Sequence, residues 1–121
     1  MRTTIVIAAL LVGIAGASGW TVAQVPSGSA DRGEAIYKAH CLRCHGKFGE
    51  GNGPDAKDLI VQPENFQTLS SRDRSDFELL VAISNGVLFS PMHSWRGRLT
   101  EQEMMDVIRY IRALAPPRPF S

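Results

Sequence analysis

The chain has 121 residues, which bounds it to one domain rather than two. Hydrophobic residues make up 44% and charged residues 21%, a globular composition that excludes a disordered chain, a collagen-like repeat and a polytopic membrane protein. There are 13 Lys+Arg against 12 Asp+Glu, so no basic excess exists to drive nucleic-acid binding, and two cysteines exclude a multi-disulfide scaffold.

Arg2 is the only charge before Asp31. Ile5 to Leu11 is aliphatic, and Val12 to Ala17 continues the apolar run with smaller residues. A basic start, an apolar stretch and then small residues read as a secretory signal peptide over residues 1–23, with cleavage after Ala23 in Thr21-Val22-Ala23. Cleavage there leaves 98 residues, with 12 basic and 12 acidic side chains. The competing reading is an uncleaved anchor, because the charge-free stretch exceeds the roughly 20 apolar residues that a span needs. Gly13, Gly16, Ser18 and Gly19 dilute its later half, and no cysteine is present there to carry a lipid. Both readings put the folded part outside the cytoplasm.

Residues 24–30 form a Pro/Gly/Ser linker. A first helix is expected over Asp31 to Cys41, capped by Ser29 or Asp31, with Gly33 and Tyr37 on one face. A glycine-rich loop follows from Gly46 to Pro54, then a short helix over Ala56 to Val61, ended by Pro63. Ser75-Asp76-Phe77-Glu78 is a capping box that opens a helix through Ser84, and Asn85-Gly86 stops it. Val87 to Leu99 reads as an irregular loop. Thr100-Glu101-Gln102-Glu103 is a second capping box. The stripe Met104, Val107, Ile108, Ile111 and Leu114 then marks an amphipathic helix, closed by Pro116 and Pro117. Residues 116–121 are expected to be an extended, exposed tail. No segment reads as a strand ladder, so the fold class is all-α, with three main helices and long loops. About 98 residues with this much loop make a thin core, since such a chain buries only roughly 60–70% of its surface.

Cys41-Leu42-Arg43-Cys44-His45 has the C-x-x-C-H form of c-type haem attachment. Two thiols one helical turn apart match the two vinyl groups on one side of a porphyrin. The next residue, His45, then lies under the ring, where its imidazole can bind iron. Attachment occurs outside the cytoplasm, which agrees with the export signal. Three other readings compete. A thioredoxin-like redox pair needs a βαβ context that is absent. A zinc site would have to draw on His40, His45 or His93, with no second ligand pair nearby. A disulfide closing so small a loop constrains the unfolded chain little.

With that motif, the sequence resembles the class I c-type cytochromes, specifically the small bacterial periplasmic ones. The features run in order from Ala30 to Leu114: a helix ending in C-x-x-C-H, a loop closing on Gly53-Pro54, the element Pro63-Glu64-Asn65-Phe66, a Met in a Pro-containing loop, and a C-terminal helix with an aromatic. The resemblance implies a cytochrome c domain over residues 31–115, folded around one covalently bound haem c. Cys41 and Cys44 would form the thioethers, and His45 would be an axial ligand through Nε2. The carbonyl of Pro54 would accept a hydrogen bond from its other ring nitrogen. Gly33 and Tyr37 would pack against Val107 and Tyr110.

For the sixth ligand the candidates are Met92, Met104, Met105, His40 and His93. Met104 fits the apolar stripe, and His40 precedes Cys41 and should point away. Met92 in Ser90-Pro91-Met92-His93 lies where the family places its Met, although His93 stands where a Pro often follows. Met92 is the expected ligand and His93 its competitor. A thioether favours Fe(II) and raises the potential. Two strong ligands leave no open position, which implies a one-electron carrier rather than an enzyme. Phe48, Phe66, Phe89 and Trp95 are candidate haem contacts or plain core. Arg96 and Arg98 could meet a propionate or a partner's acidic patch, or belong to a solvated loop. Lysines are few (Lys38, Lys47, Lys57), so no docking ring is visible. The expected protein is a periplasmic monomer that shuttles electrons between redox partner proteins, bound to the membrane only if residues 1–23 are retained. The alternatives are a haem-based ligand sensor and a dedicated cytochrome subunit of a larger oxidoreductase.

Overall fold

The computed structural model describes residues 27–119. The signal segment 1–23, residues 24–26 of the linker and the last two residues of the tail lie outside the described residues. The elements are α1 (Ala30–His40), α2 (Leu42–His45), a 3₁₀ turn (Ala56–Asp58), α3 (Leu69–Arg72), α4 (Asp76–Asn85) and α5 (Glu101–Leu114). Among the described residues there is no strand beyond one isolated bridge between Arg96 and Leu99. The chain is all-α, as the sequence indicates.

Local chemistry sets the helix ends. Ser29 is the N-cap of α1. Both capping boxes form: Ser75 with Glu78 opens α4, and Thr100 with Glu103 opens α5. Three details differ from expectation. The first helix stops at His40, Cys41 caps it by donating its N–H to the Tyr37 carbonyl at 2.8 Å, and residues 42–45 make a separate turn. The helix expected over 56–61 shrinks to a 3₁₀ turn, because the Gln62 side chain donates to the carbonyls of Ala56 (3.2 Å) and Leu59 (2.7 Å). The short α3 has no apolar periodicity to announce it, and Thr68 caps it.

The core lies where α1 crosses α5. Tyr37, Val107 and Ile108 are at most 1% exposed there. Gly33 makes the crossing possible: a Cβ at that position would sit 1.9 Å from the Asp106 carbonyl oxygen. The Tyr37 and Tyr110 rings meet at 5.2 Å, close to the pairing expected from the sequence. Asp106 is a buried carboxylate with a full set of donors. It accepts from Ser29 N–H (2.7 Å), Arg32 Nε (2.7 Å), Arg32 Nη2 (2.9 Å) and Gln102 Nε2 (3.0 Å). The Arg32 hydrogen bonds, against the opposing cost of burial, hold its carboxyl below the usual range.

The C-terminal tail is exposed over Pro116 to Pro119 but not free. Arg72 Nε donates to the Pro116 carbonyl at 2.7 Å, and Arg118 forms an ion pair with Asp73. No helix among the described residues is long and apolar enough to cross a membrane.

Candidate functional site

Cys41 is the N-cap of the one-turn α2 and Cys44 lies within it, and both are half-buried free thiols. The Cys41 carbonyl accepts from Cys44 N–H (3.2 Å) and His45 N–H (2.9 Å), which closes the turn. Burial first, and the adjacent Cys44 second, push the Cys41 thiol up to about 12.

The loop after His45 folds back onto α2. Gly51, Gly53 and Asp55 donate their N–H groups to the carbonyls of His45 (2.8 Å), Cys44 (3.0 Å) and Arg43 (2.9 Å). Gly53 is needed for that approach, since a Cβ would lie 2.2 Å from the Arg43 oxygen. Arg43 locks the loop further by a two-pronged pair with Asp55, at 2.7 Å on each prong. From the other side, the buried Tyr37 hydroxyl donates to the Gly46 carbonyl at 2.8 Å.

His45 is positioned by the next segment of chain. Phe66 donates its N–H to the Gly49 carbonyl at 2.7 Å, and its ring stacks on the imidazole at 4.8 Å and 11°. This brings the Glu64 carbonyl to 3.3 Å from His45 Nδ1. The partner is therefore Glu64, not Pro54. Gly51, Gly53 and Asp55 turn their N–H groups toward α2, and Pro54 is left exposed. A carbonyl only accepts, so Nδ1 carries the proton and the Nε2 lone pair is free. Burial, the largest influence, lowers the pKa of His45, which favours this neutral, ligating form.

The loop between α4 and α5 carries the remaining candidates. Met92 is half-buried and packs against the core. Met104 and Met105 are sealed inside the core at 6% and 7% exposure. His93 is exposed, with Nδ1 3.1 Å from the Ser94 carbonyl and its ring 4.7 Å from that of Trp95. His40 is exposed as well, and its ring lies 5.1 Å from Trp95. Phe66 and Trp95 pack in or against the core, whereas Phe48 and Phe89 face water. Arg96 and Arg98 are exposed, and Arg96 bonds Asn85 Oδ1 at 2.8 Å.

Beside Met92 lies an open cleft of about 460 Å³ whose apolar wall is Leu59, Ile60, Val61, Phe89 and Pro91. Ile60 is 101% and Phe89 97% exposed, and Phe89 holds the left-handed region at φ 59°. A bulky aromatic presented to water on a strained backbone is unfavourable unless something covers it. Among the described residues no three His, Cys, Asp or Glu side chains converge on a bare metal ion. Two free thiols on one turn, an imidazole whose Nε2 makes no hydrogen bond and uncovered apolar walls fit a flat, apolar iron macrocycle attached through sulfur.

The comparisons agree with that fit. The family model described as cytochrome c oxidase, cbb3-type, subunit III matches residues 28–111. A chain of the reducing HAO-like protein complex of Kuenenia stuttgartiensis is similar, at 27% identity and a TM-score of 0.67, over 79% of this chain and 50% of that one. The present chain thus spans about half the length of that relative. The KustC0563 c-type cytochrome is similar at 25% identity and a TM-score of 0.56, over 69% of this chain and 96% of that one. Cytochrome c6 of the diatom Phaeodactylum tricornutum shares the fold, with 23% identity and a TM-score of 0.56 over 73% of this chain and 95% of that one. No curated protein matches the sequence.

Proposed function

The chain belongs to the family described as cytochrome c oxidase, cbb3-type, subunit III, a monohaem c-type cytochrome that binds haem c covalently for electron transfer, and from that premise we propose that it is a periplasmic one-electron carrier with His45 and Met92 as axial ligands. Cys41 and Cys44 would hold the haem by thioether bonds. When bound, it supplies an Fe(III)/Fe(II) couple.

The rest is the work of the chain. The Glu64 carbonyl fixes the tautomer of His45 and the Phe66 ring fixes its plane, so Nε2 is presented as a ligand without rearrangement. Met92, in the loop between α4 and α5, would supply a soft sulfur, which would favour the reduced state. With His45 and Met92 both holding the iron, the group would serve as an electron carrier. The observation that carries this reading is His45 one residue after Cys44, with Nδ1 on the Glu64 carbonyl and Nε2 free. The N-terminal pattern of residues 1–23 supports export, with an uncleaved segment as the route to membrane attachment. Donor and acceptor are redox proteins.

The test is the absorption spectrum of protein made in a host with haem-attachment machinery. The oxidised form is expected to show the weak far-red band of thioether-to-Fe(III) charge transfer, lost in Met92→Ala. Covalent haem without that band would overturn Met92 ligation. A second reading, a fixed subunit of a larger oxidoreductase, is favoured by the likeness to a chain of the Kuenenia complex. Purification from the native source as a stable assembly, rather than as a monomer, would select it.

A further inference from the structure

The hydrogen bonds of the Met92 loop point one way. Among the described residues, those made by residues 86–99 either stay inside the loop or reach the end of α4. Val87 donates to the Met92 carbonyl (2.9 Å), Trp95 to Ile83 (3.1 Å), Arg96 to Ser84 (3.2 Å) and Ser94 Oγ to Ser84 (2.7 Å). They tie Met92 to α4. None of them ties it to α1 and α2, which carry Cys41, Cys44 and His45.

The rings make that second connection. His40 is the last residue of α1, next to Cys41, and Trp95 lies three residues after Met92. Their ring centroids are 5.1 Å apart at 53°, a tilted aromatic pair of ordinary geometry. Trp95 is half-buried against the core, so its indole is already fixed when it meets the imidazole.

The geometry points to His40 as a positioning residue: its ring latches Trp95, and so holds the Met92 loop against the segment that bears the attachment cysteines. This rests on Met92 being the sixth ligand. His40 itself binds nothing. It lowers the population of conformations in which the loop swings out with Met92. An external ligand must first displace Met92, so its apparent affinity reports that population directly.

The test is imidazole titration of the oxidised holoprotein, followed at the far-red band. His40→Ala is expected to bind imidazole about three- to tenfold more tightly than the parent, the range that one aromatic pair supplies. His40→Phe keeps a ring for Trp95 and is expected to restore the parent affinity. His40 is at the exposed end of α1, and denaturation midpoints within error of the parent would show that folding is not what changed. Equal imidazole affinity in His40→Ala and the parent overturns the latch, as does a His40→Phe variant as loose as His40→Ala. A far-red band that survives Met92→Ala overturns the ligation reading, and the latch with it. Loss of the band in Met92→Ala with no effect at His40 overturns the latch alone.

Discussion

At the α1–α5 crossing, Tyr37, Val107 and Ile108 are at most 1% exposed, and the one buried carboxylate has every donor it needs. In the loop that carries Met92, Leu88 and Phe89 are 86% and 97% exposed, and the backbone at Phe89 is strained. The first region is finished by protein atoms alone. The second is finished only when something flat and apolar covers it. One chain of this size therefore divides its labour. Stability resides where α1 and α5 cross, and the Met92 loop leaves apolar side chains open to a cofactor. Substitutions at the crossing should change stability and leave the iron spectrum alone, while substitutions in the loop should do the reverse.

The largest expected effect is Gly33→Ala. Its Cβ would overlap a backbone oxygen 1.9 Å away, and no rotamer can relieve a clash between two backbones. The helices must separate, at about 3 kcal/mol. Urea denaturation of the holoprotein would measure it, and the folded fraction should keep the far-red band. A loss below about 0.5 kcal/mol would mean that the crossing is looser than the geometry implies.

Asp106→Asn comes next, at about 2 kcal/mol, because the variant loses the charge that Arg32 and the Ser29 N–H engage. The pH dependence has a definite sign. The folded carboxyl holds its proton more weakly than the unfolded one, mainly through the Arg32 hydrogen bonds. Its contribution is therefore full above the unfolded value of about 4 and disappears as pH falls through the lower folded value. Stability measured from pH 7 downward should fall less steeply on the acid side in the variant than in the parent.

The contrast also explains how much of the molecule the sequence reveals. The capping boxes at Ser75 and Thr100, the stop at Gly86 and the stripe of α5 are local signals, and all four appear in the structure. The attachment motif is just as local. What was not legible depends on distant contacts. The buried role of Asp106 has no local signal, because its partners Arg32 and Ser29 are 74 and 77 positions away. The carbonyl facing His45 is 19 residues along the chain. Its identity, Glu64 rather than Pro54, follows from how two loops stack through Phe66, which no spacing rule encodes. The shortened turn at Ala56–Asp58 is a competition between a glutamine side chain and a helix for the same carbonyls.

The smallest effect, and the one that probes the join between the two regions, is Tyr37→Phe. The ring belongs to the crossing and stacks on Tyr110, but its hydroxyl donates to the carbonyl of Gly46, the residue after His45. Phenylalanine keeps the packing and leaves that carbonyl with the Gly49 N–H (3.2 Å) as its remaining donor, at about 1 kcal/mol. If the regions are as separate as their exposure suggests, the whole loss appears in the urea midpoint and the far-red band is unchanged. If the hydroxyl also holds the segment that carries His45, the variant will bind imidazole more tightly than the parent. In that case Tyr37 supports the ligand segment as well as the core, and the boundary between a self-sufficient half and a cofactor-dependent half runs through a single side chain.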